Sequence, residues 1–392
     1  MRKFFLLLFF LPLMTLNANN SPLLVHSTQF IRVYNLQPEG FVIVSTDRAT
    51  PEILGFSDHG AFDSDSIPDA LADLLISYEN EIQRFGSHVE RPFFDFARLD
   101  AAPDNIIVAP LIKTKWAQGT YYNSKCPADS NGQGGHAQVG CGAVVMGQVM
   151  RYWLHPEHGA GSHSYVCNFA AYGYGNYGTL SADFENTYYD YEHMPSKLTA
   201  SSTEQEVDAV STLLFHCGVA CNMAYGPSAS TAQSGNIVSA LKKYFRFQNT
   251  VRYVEKSQYS SASDWHSLLQ SELNDSAPFF YGASGSRGGH VFICDGYGEK
   301  DSETYYHLNW GWGGNYDGWF KISDFTPGPY DFNDNHAAIV GIRGDHLPPS
   351  AVVDVVDSPQ DSSTKVEKIF IDGHIYVKVE DRLFTLMGQP VK

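Results

Sequence analysis

The chain has 392 residues, 43% of them hydrophobic, which is enough for two or three folding units with a sizeable buried core. Its formal net charge of -17 is spread along the sequence without basic clusters, which argues against nucleic acid or an anionic membrane surface as a partner. The composition is typical of a soluble globular protein.

The first segment, residues 1–18, has the pattern of a secretory signal. Arg2 and Lys3 form a basic start, an apolar run from Phe4 to Leu13 follows, and Ala18 is a small residue suited to the position before cleavage. The run is too short for a spanning helix, and no later segment reaches the length that a membrane crossing needs. We therefore expect a secreted protein without a membrane span.

Residues 19–105 are expected to form a small α+β unit. Phe41–Ser45 is strand-like, and a helix follows with Pro68 in its first turn, a regular apolar stripe and Gly86 as its end. That stripe consists of Leu71, Leu74, Leu75, Tyr78, Ile82 and Phe85. The segment Ala101–Asn105 then has the composition of an exposed, cleavable connection.

Residues 106–345 divide into a helical half and a strand-rich half. The predicted helices are one after Cys141, Thr203–Cys217 capped by Ser202 and ended by Gly218, Asn236–Tyr244, and Asp264–Leu273. The predicted strands are Pro278–Tyr281, His290–Asp295, Thr304–Leu308, Trp319–Ile322 and Ala337–Ile342. Helices followed by antiparallel strands indicate the α+β class, with a cleft between two lobes.

Cys141 stands between two glycines at the start of an apolar, helix-period segment. A thiolate is favoured at a helix N-terminus, where unpaired N–H groups and the helix dipole stabilise the anion. His290, after Gly288 and Gly289, opens a predicted strand and is a candidate base with a pKa near working pH. The alternatives are a buried structural cysteine and a satisfied core histidine. His136 competes as the base, although its place on the loop before Cys141 favours a structural role.

The chain has 6 cysteines, which an exported protein can pair. They lack the density and spacing of a disulfide scaffold, and no four-ligand zinc set is complete around Cys217 and Cys221. We expect no metal and no cofactor.

Several short segments, in this order, resemble the streptopain family of secreted cysteine peptidases. They are Gly40–Asp47, Pro51–Gly55, Trp116–Asn123, His136–Cys141, Gln148–Met150, Tyr225–Ser228, Gly288–His290 and Asn309–Gly314. The resemblance covers most of the chain. It implies a two-lobed papain-like fold, in which a helical lobe faces an antiparallel β lobe, preceded by an inhibitory pro-domain.

The resemblance also implies residue roles. Cys141 would be the nucleophile and His290 its base. Gln118 would donate to the oxyanion, for which a neutral amide is suited. Asn309 and Trp310 stand where the family orients the histidine: Asn309 would accept from the imidazole, and Trp310 would cover that contact and exclude water.

Substrate contacts are implied for Ser228, Thr231 and the backbone of Gly289, which would hold a peptide in an extended pose. Here the chain departs from the family pattern, since Ala224 replaces an expected acidic residue, which bears on the shape of the pocket. The segment Thr326–Asp334 would be a mobile flap beside the cleft.

Residues 346–392 are expected to be a linker and a short β-rich tail, with a hairpin turning at Asp372–Gly373. The tail resembles the start of C-terminal sorting segments on secreted bacterial proteins.

The sequence as a whole predicts a secreted cysteine endopeptidase made as a zymogen. Its partners would be protein and peptide substrates and its own pro-domain as an intramolecular inhibitor. Two alternatives stay open: a non-catalytic protein- or glycan-binding module with a vestigial site, and an acyltransferase on the same fold.

Overall fold

The computed structural model describes residues 22–92, 94, 96, 102–285, 288–322 and 336–345, and the strand segments 366–371, 374–379 and 382–385. The chain divides into two compact units, Met1–Ala351 and Val352–Lys392. The predicted signal, residues 1–18, and the predicted flap Thr326–Asp334 lie outside the described residues. Among the helices that are described, none has both the length and the apolarity needed to span a bilayer.

The N-terminal region contains four strands and one long helix. They are β1 Leu23–Ser27, β2 Ile31–Asn35, β3 Phe41–Ser45, β4 Ile53–Ser57 and α1 Asp69–Phe85. Pro68 precedes the first helical residue and Gly86 follows the last, so the predicted helix is confirmed to within a residue. Its apolar stripe is buried except for Phe85, which is half-buried. Each fully buried leucine contributes about 2 kcal/mol to the free energy of folding.

The N-terminal strands continue into the sheet of the central region. The central strands are β5 Asn105–Val108, β8 Arg252–Glu255, β9 Phe279–Gly285, β10 Gly288–Lys300, β11 Glu303–Asn309, β12 Gly318–Phe320 and β13 His336–Val340. β4 pairs antiparallel with β12, placing Phe56 opposite Trp319 and Gly55 opposite Phe320. The resulting sheet has 11 strands, ten of them in the order β1-β2-β3-β4-β12-β11-β10-β9-β13-β8, with β5 paired to β10.

The remaining helices are α2 Cys141–Trp153, α3 Glu204–Ala220, α4 Ser234–Lys243 and α5 Ala262–Asn274. The predicted limits of α3 are wrong at both ends. Thr203, not Ser202, caps the helix, because its hydroxyl and Glu206 form a reciprocal capping box. Gly218 does not end the helix, which continues to Ala220 since buried packing outweighs the low helix propensity of glycine.

A two-stranded ribbon lies between α2 and α3 and was absent from the predicted elements. β6 Ser162–Asn168 pairs with β7 Asn176–Asp183 in the Tyr/Gly-rich stretch. Its tip contacts the segment Tyr225–Ser228, since the Gly175 N–H donates to the Tyr225 carbonyl at 2.8 Å.

Two main hydrophobic clusters form the core. One surrounds α2 and α3 and includes Trp116, Met146 and Leu214. The other lies between the sheet and helices α1 and α5, so that Leu71 of α1 shares a cluster with Trp310. The N-terminal helix is therefore part of the same core as the strand-rich half of the central region.

The tail unit is a three-stranded antiparallel sheet, β14 Val366–Ile371, β15 His374–Val379 and β16 Arg382–Thr385. β14 and β15 form a hairpin that pairs Ile371 with His374, as the alternating pattern predicts. The turn Asp372–Gly373 itself lies outside the described residues.

Candidate active site

Cys141 is the first residue of α2, and the backbone before it is held in a conformation that suits glycine. Gly140 has φ +88°, and a Cβ there would lie 2.7 Å from the sulfur of Met223. The Gly140 carbonyl accepts from the N–H groups of Ala143 and Val144, both at 3.1 Å. The N–H of Gly142, which precedes these two, acts on the thiol itself.

His290 lies on β10, in register with Ala283 of β9, and faces Cys141 across the cleft. Burial opposes ionisation of Cys141, but the facing His290 and the N–H groups of Gly142 and Val291 lower the thiol pKa on balance. Burial likewise opposes the charged imidazole, yet Cys141 above all raises the pKa of His290. The two residues therefore favour a thiolate–imidazolium pair.

The aromatic ring against His290 belongs to Trp312 and not to Trp310. The His290 and Trp312 ring centroids are 5.1 Å apart, and Trp310 stacks behind Trp312 at 5.5 Å. The Nε2 atom of His290 is buried and has no partner with full hydrogen-bond geometry, while the Trp310 backbone lies close enough to raise the pKa of the ring. Sequence reasoning missed Trp312, although it stands in the same Asn309–Gly314 motif.

Asn309 has hydrogen-bond partners other than the expected imidazole. Its Oδ1 accepts from Gln148 Nε2 and from the Gly311 N–H, both at 3.1 Å, and its Nδ2 donates to the Thr114 carbonyl at 2.9 Å. Gln148 in turn accepts from the Trp116 N–H at 3.1 Å. In this structure Asn309 joins the two lobes behind the site and does not contact His290 through a hydrogen bond.

Gln118 lies at the cleft together with Cys141, His290 and Trp312. Its carbonyl accepts from the Val139 N–H at 3.0 Å, which ties the loop carrying Gln118 to the segment before the nucleophile. Gln118 therefore lies at the cleft beside the segment that carries the nucleophile.

The three residues expected to contact substrate lie around this cleft. Ser228 and Thr231 line it, and Thr231 exchanges backbone hydrogen bonds of 2.8 and 3.1 Å with Ala224. Gly289 adjoins His290 on β10 and pairs with Ser284. A second cavity of about 160 Å³ opens beside Cys141, and its apolar wall is formed by Ile237, Tyr253, Phe280, Val291, Ala338 and Ile339.

The N-terminal end of α1 closes the cleft from the pro-domain side. Pro68, Asp69 and Asp73 line the same cavity, of about 280 Å³, as Cys141 and His290. The Asp69 carboxylate also raises the pKa of His290, though less than Cys141 does. Cys141 and His290 interact while α1 is in place.

The other candidates have structural surroundings. His136 Nδ1 lies 2.8 Å from the Cys126 carbonyl, which fits the structural role. All six cysteines are free, and the five besides Cys141 are buried. Burial raises the pKa of Cys126 to about 12, so that thiol is not a nucleophile.

Two protein families match separate parts of the chain. The peptidase C10 family matches residues 116–320, and the Spi protease inhibitor family matches residues 24–82. Streptopain of Streptococcus pyogenes is 30% identical over 328 residues, 79% of this chain and 80% of that protein. The thiol protease/hemagglutinin PrtT of Porphyromonas gingivalis is 32% identical over 304 residues, 74% of this chain but 33% of that protein.

Two solved structures from Prevotella intermedia have the same fold. A fragment of prointerpain A superposes with a TM-score of 0.67 at 29% identity, covering 83% of this chain and 100% of that one. Active interpain A gives a TM-score of 0.52 at 34% identity, covering 60% and 95%. The α+β papain-like fold with an N-terminal pro-domain is thereby confirmed. Since the family model, the relatives and the solved structures agree, the chain belongs to the peptidase C10 family and is a cysteine peptidase zymogen with an inhibitor-type pro-domain.

Proposed function

We propose that the enzyme is a secreted endopeptidase in which Cys141 is the nucleophile and His290 the general base and acid. The observation that carries this assignment is the interaction of the two side chains, which lowers the pKa of one and raises the pKa of the other. Perturbed pairs of this kind in a cleft are typical of catalytic sites. A vestigial site in a binding module would not need to maintain them.

In the first step the Cys141 thiolate attacks the scissile carbonyl carbon, and the carbonyl electrons move to oxygen. The Gln118 amide and the Cys141 N–H stabilise that oxyanion, since both donate without adding charge to the ion pair. His290 then gives its proton to the leaving nitrogen, the C–N bond breaks, and a thioester with Cys141 remains.

In the second step neutral His290 takes a proton from water, whose oxygen attacks the thioester carbon. Collapse of this intermediate breaks the C–S bond, releases the carboxylic acid product, and returns the thiolate–imidazolium pair. Orientation of the imidazole falls to the Trp312 ring and the Trp310 backbone, while Asn309 supports them from behind.

Substrate would bind as an extended strand between Gly289 on one side and Ser228 and Thr231 on the other. The apolar cavity beside Cys141, with Ile237 and Phe280 in its wall, suits an apolar side chain of the substrate. We propose that a substrate residue near the scissile bond is apolar.

We propose 19–105 as the pro-domain and 106–345 as the catalytic domain, with activation by cleavage near their junction. β5 begins at Asn105 and pairs with β10, and Asp104 binds Lys300 at 3.3 Å. Strand residues are poor protease sites until they leave the sheet, so we expect β5 to detach from β10 before the chain is cut at this junction. Residues 1–18 would direct export, and 346–392 would form the linker and tail.

An epoxysuccinyl peptide inhibitor tests the assignment of the nucleophile. We expect it to label Cys141 covalently in the processed enzyme, and we expect Cys141→Ala and His290→Ala to abolish labelling and peptide hydrolysis. A Cys141 that reacts no faster than a free thiol would support the vestigial binding module instead.

Adding a separately expressed 19–105 fragment to the 106–392 enzyme tests the pro-domain. Tethering raises the effective concentration of the inhibitor to about the millimolar range, so the detached piece should inhibit more weakly but measurably. If it neither binds nor slows hydrolysis, the segment serves folding or targeting.

A further inference from the structure

We propose that Asp317 is a positioning residue for catalysis, which holds the Trp310–Trp312 segment against His290. This inference rests on the roles proposed above for Cys141 and His290. Asp317 lies between the Asn309–Gly314 segment and β12, and it touches neither the Cys141 thiol nor the His290 imidazole.

The loop that carries Trp310 and Trp312 is held by a hydrogen bond to Asp317. The Asp317 Oδ1 atom accepts from the Trp310 N–H at 2.9 Å, and the Trp310 indole N–H donates to the Tyr316 carbonyl at 2.9 Å. Between them, Gly311, Gly313 and Gly314 all have positive φ and little intrinsic stiffness. The hydrogen bonds to Asp317 and Tyr316 at the end of this loop therefore help to fix the position of Trp310.

Other contacts fix the middle of the loop and the Trp310 ring, which packs against Phe292 and Phe320 at centroid distances of 4.5 and 5.3 Å. The Gly313 N–H donates to the Trp116 carbonyl at 2.9 Å, and Lys197 donates to the Gly313 carbonyl at 2.7 Å. The Trp310 backbone is the part of the loop that favours the charged form of His290, while the Trp312 ring lies against the imidazole. The Asp317 carboxylate accepts a hydrogen bond from the Trp310 N–H. This bond therefore positions Trp310, whose backbone favours the charged form of His290.

Asp317 is 2% exposed and lies in a cluster of charged groups. His307 of β11 and His59 of the pro-domain favour its ionised form, whereas Asp295 of β10 opposes it. Asp295 in turn binds His307 Nδ1 at 2.6 Å. Burial is the largest influence and raises the pKa of Asp317 to about 6, so the charge is retained at neutral pH at a cost in stability.

A costly buried charge is unexpected if Asp317 only supported the fold. The stabilising effect of its neutral form is present below the ordinary pKa of 3.8 and is lost as the pH rises through about 6. An ionised acceptor, on the other hand, makes a hydrogen bond about twice as strong as a neutral one. The ionised carboxylate therefore lowers the stability of the fold and strengthens the hydrogen bond to the Trp310 N–H.

The test measures the rate at which iodoacetamide alkylates Cys141 in the full-length chain over a range of pH. Mass spectrometry of the unprocessed chain gives the alkylated fraction. The reagent is small and neutral, and the other cysteines are buried, so the rate reports the Cys141–His290 pair. In the wild type we expect a step in the rate near pH 6, where Asp317 becomes charged. In Asp317→Asn we expect alkylation at neutral pH to be about tenfold slower, without that step and without a lower Tm.

The matched control is Glu272→Gln, which removes another buried carboxylate that accepts a backbone N–H, from Gly341 at 3.1 Å. This variant should keep both the wild-type rate and the step. The inference is overturned if Asp317→Asn keeps the wild-type rate and step, or if its rate falls only together with its Tm. If His290→Ala fails to slow alkylation, the proposed roles of the pair are wrong, and that outcome is distinct from a failure at Asp317 alone.

Discussion

Replacing Tyr78 by phenylalanine should loosen the pro-domain without changing the active site. Tyr78 lies on α1 and is buried, and its hydroxyl lies 2.6 Å from the Lys321 carbonyl beyond β12 and 3.0 Å from the Leu54 carbonyl on β4. Phenylalanine fills the same space but leaves the Lys321 carbonyl without this donor. A buried hydrogen bond lost in this way costs about 1–2 kcal/mol, which corresponds to a roughly 5- to 30-fold larger open population.

The assay is labelling of Cys141 by a bulky epoxysuccinyl peptide in the full-length chain. Pro68, Asp69 and Asp73 occupy the cleft, so the reagent enters only when α1 moves away. When opening and closing are fast, the labelling rate is proportional to the open population. Tyr78→Phe should therefore be labelled about 5 to 30 times faster than the wild type.

Tyr297→Phe is the matched control. Its hydroxyl donates to Asn274 Oδ1 at 2.9 Å within the catalytic domain, so the same chemical change should leave labelling unaltered. Equal rates for Tyr78→Phe and the wild type, or equal acceleration in both variants, would refute the reasoning that this hydrogen bond keeps the cleft closed.

Three further outcomes are expected. Cys141→Ala should abolish proteolysis while the circular dichroism spectrum and the intact mass show a folded, unprocessed chain; autoprocessing at the wild-type rate would exclude this nucleophile. Gln118→Ala should lower kcat by about a hundredfold or more with little change in KM, measured on a fluorogenic peptide; an unchanged kcat would remove it from the oxyanion site. The thiolate should persist below pH 9.0, since the pKa of Cys141 is lowered, and the alkaline limb of kcat/KM should lie above pH 6.5, since His290 loses its proton only above its raised pKa. Limbs at these ordinary values would contradict the ion pair.

Local patterns in the sequence were sufficient for most of the helices and strands. The stripe of α1 repeats with the helical period between Pro68 and Gly86, and the structure follows it closely. The nucleophile motif likewise predicts its own setting, because Gly140 and an apolar helix are local features. Such elements depend on residues a few positions apart.

The limits of α3 and the β6–β7 ribbon depended on more distant contacts. Helix α3 continues through Gly218, and a distant contact explains why this helical position is glycine. An added Cβ would lie 2.0 Å from the Tyr225 hydroxyl, so there is no room for a side chain. The β6–β7 ribbon is rich in glycine and tyrosine and lacks strict alternation, so its pairing was not evident from the pattern alone.

The sequence by itself therefore determined the family, the α+β class and the pairing of Cys141 with His290 as candidates, since these follow from motifs and their order. Only the tertiary structure decided which groups surround the histidine. Trp310 and Trp312 are two residues apart in one motif, and Asn309 precedes them. The family resemblance pointed to Asn309 and Trp310, and nothing in the sequence pointed to Trp312. The positive φ values of Gly311 and Gly313 turn the chain so that Trp312 faces His290, while Asn309 turns away to Gln148 and Thr114. The two residues that hold Asn309 lie more than a hundred positions before it in the chain, and no local pattern records such contacts.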